Sequence, residues 1–182
     1  MLTAAPTVDQ LYQLFPHSPD RPDVQEIPAS AVPPPYHQLL VHTHHMTVAV
    51  EQYYGVPVQV RVLECKRVGS EYARKILLTA HSRPVQFGLV RIDLEVCPEP
   101  VRQEILAGQI PLGRILIHHN MLRRIEPVSY LRVTLSQPMA DWFGVEPGTI
   151  TYGRIGVIHS GNRLAVEMLE ILAPISGTCH NR

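Results

Sequence analysis

Two hairpin signatures constrain this chain more than anything else in it. Val56 to Lys66 alternates through Val58, Val60 and Val62, Gly69-Ser70 follows, and the alternation resumes from Tyr72 to Ala80. Nearer the C-terminus, Thr151 to Ile158 and Leu164 to Leu172 flank Ser160-Gly161-Asn162. A period of two sends successive side chains to opposite faces, and small turn residues between two such runs close an antiparallel pair. Gln86 to Leu94 reads as a further strand, reached through Ser82, Arg83 and Pro84, and Tyr130 to Leu135 as another.

The helical material lies between these blocks. His37 to Tyr54 carries Leu40, Val41, Val48 and Tyr53 and ends at Gly55, a helix stop. Pro98 to Gly108 is amphipathic through Val101, Ile105 and Leu106, and Pro111-Leu112-Gly113-Arg114 opens the apolar segment Ile115 to Ile117. Strands and helices do not alternate regularly. The expected class is therefore α+β, a single domain with a mainly antiparallel β-sheet flanked by helices.

Residues 1–35 are a different kind of sequence. Val8 to Phe15 suits a short helix, but Pro16, Pro19, Pro22, Pro28, Pro33, Pro34 and Pro35 favour extended chain. This proline-rich arm either packs on the body, packs on a neighbouring subunit or stays mobile. The domain proper is expected over residues 36–174, with a tail at 175–182.

At 182 residues the chain suits one globular core, and its sixteen Lys and Arg balance sixteen Asp and Glu. That balance excludes the basic stripe of a nucleic-acid binder and a polybasic membrane patch. The N-terminus has no secretory pattern and no apolar run reaches membrane-spanning length, so a cytoplasmic protein is expected. Cys65, Cys97 and Cys179 are too widely spaced for a zinc site or a redox pair, and reduced thiols are expected.

Two ionisable residues stand on faces that otherwise read as buried. Arg74 shares its face with Tyr72, Ile76 and Leu78, and Glu170 shares its face with Val166, Met168 and Leu172. A buried charge must be paired or bound to a polar ligand. One inward cation and one inward carboxylate point either to a small pocket for a polar, anionic molecule or to a mutual structural ion pair.

Other chemistry is weaker. His42 and His45 would be neighbours on a helix, and His118-His119 is a second cluster, but no three-ligand zinc spacing occurs, and no metal is expected. Ser129, Ser136 and Ser160 lack a nucleophile elbow, Cys65 beside Lys66 and Arg67 reads as inert packing, and no glycine-rich phosphate loop is present. Arg123-Arg124 with Arg132, and Arg91 with Asp93, read as solvated faces. Arg114 follows Pro111-Leu112-Gly113 at a helix start, where backbone amides bind anions, so a small dicarboxylate held there and by Arg74 is conceivable.

Four pieces of the sequence, in order across roughly residues 36 to 174, resemble the chorismate pyruvate-lyases, including their divergent actinobacterial and cyanobacterial branch. They are His45-Met46-Thr47 followed by Glu51, Tyr72-Ala73-Arg74-Lys75-Ile76-Leu77-Leu78, Gly108 through Pro111-Leu112-Gly113-Arg114, and Leu169-Glu170-Ile171-Leu172-Ala173-Pro174. Gly88 falls at a recurring glycine. The resemblance implies a chorismate lyase-like fold. It also implies a carbon–oxygen lyase that converts chorismate to 4-hydroxybenzoate and pyruvate without metal or organic cofactor. Carried over, Arg74 and Glu170 form the catalytic pair, Arg74 on the ring carboxylate and Glu170 on the opposite ring oxygen as base or orienting group. Met46 and Leu112 offer backbone groups, and Gly88 leaves room for the ring.

The alternative is a non-catalytic domain that binds or senses an aromatic acid, as in the similarly folded effector-binding domains of bacterial transcription regulators. Such a domain normally follows a DNA-binding module of about 70 residues, which the arm is too short to supply. A third reading is a lyase-like enzyme acting on another enol ether or aromatic acid. The expected function is the lyase, and oligomeric state is left open.

Overall fold

The computed structural model describes residues 5–121 and 124–175, with the side chain of Arg124 also left aside. Cys179, Arg123 and nearly all of the expected tail therefore lie outside the described residues. In chain order the elements are α1 (Val8–Tyr12), β1 (Asp23–Ile27), α2 (Tyr36–Leu40), α3 (Met46–Tyr54), β2 (Gln59–Val68), β3 (Glu71–Ala80) and β4 (Arg83–Asp93). There follow α4 (Glu99–Ala107), α5 (Leu112–His118), β5 (Arg124–Thr134), α6 (Gln137–Phe143), β6 (Ile150–Ser160) and β7 (Arg163–Leu172).

The seven strands form one sheet in the order β1-β5-β6-β7-β4-β3-β2, and every neighbouring pair is antiparallel. The two hairpins meet where β7 docks beside β4, so the C-terminal strand lies near the centre of the sheet. This is the expected α+β, chorismate lyase-like architecture.

Strand alternation sorts the core into two layers. On one face Leu77, Phe87, Leu89, Ile155, Leu169 and Ile171 pack with Leu11 and Phe15 near α1 and Met139 of α6. On the other, Ile92, Ile158 and Val166 meet Val101 and Ile105 of α4 and Ile115 of α5. Further along that face Ile76, Leu78 and Leu172 meet Leu40 of α2 and Met46 and Val50 of α3. Gly55 and Gly108 end α3 and α4 with φ of 70° and 66°, the left-handed cap glycine supplies at no steric cost.

Three local expectations are corrected. The run His37–Tyr54 is two helices separated by residues 41–45, because the carbonyls there are drawn to a buried arginine described below. The first 35 residues contain a strand: β1, bracketed by Pro22 and Pro28, has every N–H needed to pair with β5. Its mostly exposed side chains give no alternation to read. Helix α6 was not expected, although Ser136 precedes it and Gly144 caps it with φ 68°.

The arm packs on the body. Leu11, Tyr12 and Phe15 are all nearly inaccessible, at 1%, 2% and 3% exposure. Lys75, buried on the α1 face of β3, donates from Nζ to Asp20 Oδ1 at 2.9 Å and to Ser18 Oγ at 2.7 Å. The Tyr12 hydroxyl donates to the other Asp20 oxygen at 3.4 Å. Removing Asp20 leaves the buried Lys75 with the largely exposed Glu64, 3.3 Å away, as its remaining carboxylate. Asp20→Ala should therefore destabilise the fold by roughly 3 kcal/mol in denaturant unfolding, and adding Lys75→Met should recover much of that loss. Additive losses in the double variant would show that the pair does not hold the arm.

Candidate functional site

The carboxylate at Glu170 is buried, as its strand face requires, but its partner is Arg154 and not Arg74. Arg154 Nε donates to Glu170 Oε2 at 2.7 Å, with the arginine 1% exposed and the glutamate side chain 9%. The two stand directly opposite each other on β6 and β7. The remaining donors of Arg154 reach the loop between α2 and α3. Nη1 donates to the carbonyls of Leu40 and His42, both at 3.0 Å, and Nη2 to that of His44 at 3.3 Å. His42 fastens the same loop from within, its Nε2 on the Leu39 carbonyl at 2.7 Å and its Nδ1 accepting from the His44 amide at 3.1 Å.

A row of four residues crosses the sheet here: Arg154, Glu170, Gly88 and Ile76. Gly88 has no side chain, and a Cβ built on it would stand 3.0 Å from Ile76 Cγ1. The gap beside it opens a cavity of about 50 Å³ between the sheet and the first turns of α3 and α5. Ile76, Val90, Ile158 and Met168 give it an apolar floor, and Met46, Thr47, Leu112 and Gly113 close it from above. Gly113 is needed for that closure, because a Cβ there would lie 2.8 Å from Thr47 Oγ1.

The cavity wall thus contains Glu170, Met46, Gly88 and Leu112 from the sequence reading, but neither Arg74 nor Arg114. Arg114 forms an ion pair with Glu51. Arg74 is fully buried one rung further along the sheet, opposite Val90. Its Nη1 donates to the Ile105 carbonyl in the last turn of α4 at 3.3 Å, while Nε and Nη2 have no hydrogen-bond partner. Burial pulls its pKa down, and only the neighbouring Tyr72 and Cys65 work against that. Arg74 and Glu170 are therefore not the mutual ion pair.

Sequence reasoning missed Arg154, Gln86 and His45's place in the wall. Arg154 was open to the argument used for Arg74, since it alternates with Tyr152, Gly156 and Ile158 on the same face of β6. Gln86 lines the cavity with its Oε1 buried and without a donor. His45 and Ile125 separate the cavity from an open cleft of about 960 Å³ lined also by His42, His44 and Tyr53. His42 lies in the loop and not on a helix beside His45, so the helical metal pair considered from sequence does not form. Glu167, on the opposite face from Glu170, pairs with Arg91.

No protein-family model matches this sequence, and no curated protein matches it. Solved structures do share the fold. The ligand-binding domain of a protein described as a GntR-family transcriptional regulator from Bordetella bronchiseptica is 17% identical, with a TM-score of 0.51 over 69% of this chain and 90% of that one. PhnF from Mycobacterium smegmatis is 10% identical, with a TM-score of 0.52 over 73% of this chain and 65% of that one. A protein described as a regulator from Escherichia coli CFT073 is 12% identical, with a TM-score of 0.51 over 64% of this chain and 96% of that one. At such identities the likeness establishes the fold.

The expected carbon–oxygen lyase is corrected on these findings. Of the three structures named above, one is described as the ligand-binding domain of a transcriptional regulator and one as a regulator, and none is described as a lyase. The carboxylate assigned to catalysis is held in a salt bridge that fastens a loop, and the arginine assigned beside it stands outside the cavity. Among the described residues, no helix is long and apolar enough to cross a membrane.

The loop also carries a pH response. The pKa values of His42 and His45 are held below the ordinary histidine value of 6.5 by burial first and by the Arg154 charge second; the His44 charge adds to both, while the backbone contacts of His42 with Leu39 and His44 oppose the shift there. Below that value the unfolded chain takes up protons that the native state refuses. Stability is therefore full above it and is lost as pH falls toward the depressed native values. The denaturant midpoint should fall between about pH 7 and about pH 5, and His45→Gln should flatten the fall. An unchanged slope in that variant would place the sensitivity elsewhere.

Proposed function

We propose that this chain is a small-molecule-binding module that senses a compact aromatic acid without converting it. The observation that carries this reading is the state of the polar groups around the cavity. Glu170 is committed to Arg154, and through Arg154 to the backbone of residues 40–44. Gln86 Oε1, by contrast, is buried in the cavity wall without a donor. Unsatisfied buried groups beside an apolar gap are what a ligand of matching polarity relieves.

In this reading the ring lies over Gly88 against Ile76, Val90 and Met168. A hydroxyl donates to Gln86 Oε1 or to Glu170. The carboxylate lies toward the backbone of Met46 and Leu112. A ligand that draws on Glu170 weakens its hold on Arg154, and the α2–α3 loop is where the change is read. Ligand sites usually measure roughly 300–1,000 Å³, so binding here must part the first turns of α3 and α5 and open the wall at His45 toward the cleft. The ligand-binding role of the Bordetella relative supports a binding module.

The test is calorimetric titration with 4-hydroxybenzoate, benzoate and cyclohexanecarboxylate, with chorismate incubated separately. 4-Hydroxybenzoate should bind most tightly, with benzoate weaker by up to about tenfold for the lost hydrogen bond. Failure of all three acids to bind sinks the aromatic-acid reading, and release of pyruvate from chorismate sinks the non-catalytic one.

Arg74→Met gives a second test. A buried cation with two unused donors costs stability, so the variant should melt higher, by the equivalent of roughly 1–3 kcal/mol. If Arg74 serves the ligand, the same variant should bind aromatic acids more weakly. Unchanged affinity would leave Arg74 with a purely structural role.

A further inference from the structure

Away from the cavity, α4 and α5 bring together Glu104, His118 and His119, whose ligand atoms all lie within 4.8 Å of one another. We propose that these three residues form a binding site for a divalent transition metal of the zinc class.

The donor set suits such an ion. Two imidazoles and one carboxylate are ligands of zinc and its neighbours, and three protein ligands leave room for solvent in the remaining position. Calcium and magnesium prefer all-oxygen sites. The geometry has a local cause as well. Consecutive residues of a helix diverge by about 100°, so adjacent histidines seldom serve one centre. Here α5 ends at His118, and His119 leaves the helical path with φ −86° and ψ 13°. The two rings then lie 5.1 Å apart, centre to centre.

The plainer reading is a helix–helix tie, since His119 Nε2 and Glu104 Oε1 are 2.9 Å apart. That contact leaves part of the cluster unexplained. Glu104 Oε2 is buried and has no hydrogen-bond partner. A carboxylate oxygen withdrawn from water without a donor is costly, and a cation removes that cost. The contact also gives no role to His118, which is exposed and offers the ion a route in. Among the described residues, this is the one group of three such side chains with ligand atoms so close.

The ion would clamp α4 to α5. Ile105, next to Glu104, supplies the carbonyl that holds Arg74, and the first turn of α5 closes the cavity. The site therefore lies outside the organic-ligand cavity but on the same pair of helices.

The experiment uses the chelator-stripped full chain titrated with Zn²⁺ against a chromophoric chelator, and with Co²⁺ followed by visible absorption. No organic ligand is needed, so the outcome is independent of the aromatic-acid reading. One equivalent should bind, raise the melting temperature and give Co²⁺ the spectrum of a nitrogen-ligated ion. His118→Ala and His119→Ala should each weaken binding by more than the roughly 100-fold typical of losing an outer hydrogen bond. Glu104→Gln should weaken it by at least about tenfold, and His37→Ala, at an exposed position of α2, should leave it unchanged. Absence of stoichiometric binding, or binding that survives loss of His119, would overturn the proposal. So would binding abolished by His44→Ala instead.

Discussion

Arg154 is the residue around which this side of the sheet is arranged. A guanidinium removed from water must have its donors answered, and here one answer is Glu170 and the others are the carbonyls of Leu40, His42 and His44. Those carbonyls are lost to helix continuation, so α2 stops and α3 begins afresh at Met46. That restart aims the first turn of α3 at the sheet, above the gap left by Gly88. The cavity thus lies between a helix start set by one buried cation and the stretch of sheet around Gly88. A buried ion pair of this kind is weak evidence for net stability, and its clearest effect here is to select one loop conformation over a continuous helix.

Much of the fold was legible because hydrophobic alternation is a local signal. The hairpin strands, the glycine stops at Gly55 and Gly108 and the burial of both Arg74 and Glu170 follow from period two and from turn chemistry. The pairing of Glu170 does not. Counting back from Ser160 opposite Arg163 would set Arg154 against Leu169. The irregularity between Ile158 and His159 shifts the register by one, and the arginine meets Glu170 instead. A bulge of one residue is nearly silent in sequence, yet it decides which side chains share a face. The strand β1 and the α2–α3 break were hidden for a related reason. Each depends on a partner distant in sequence, β5 in one case and Arg154 in the other.

Fold and chemistry separate at this site. The chorismate lyase-like sheet brings a carboxylate, a glycine and two helix starts together, and that scaffold serves equally to bind a molecule or to transform one. What distinguishes the two is whether the carboxylate is at liberty. A base or an orienting group must meet the reacting atoms with its lone pairs available. Here one oxygen of Glu170 accepts from Arg154, a cation that is also tied to three carbonyls of the α2–α3 loop. Arg74, which the lyase pattern would set beside the substrate carboxylate, is a rung away under α4, outside the cavity wall.

Under the proposed binding role, the same commitment would give the module its means of reporting. An isolated carboxylate that met a ligand hydroxyl would change little beyond itself. Here the hydroxyl would compete with Arg154 for Glu170, and Arg154 is shared with three carbonyls of a loop that walls the cleft. The histidines of that loop add to the coupling, since burial and the Arg154 charge together lower the pKa of His42 and His45. Any event that shifts the arginine alters both the backbone anchoring and the electrostatic setting of the loop at once. Occupancy of a small closed cavity can in this way be expressed on an exposed surface without a large rearrangement of the sheet.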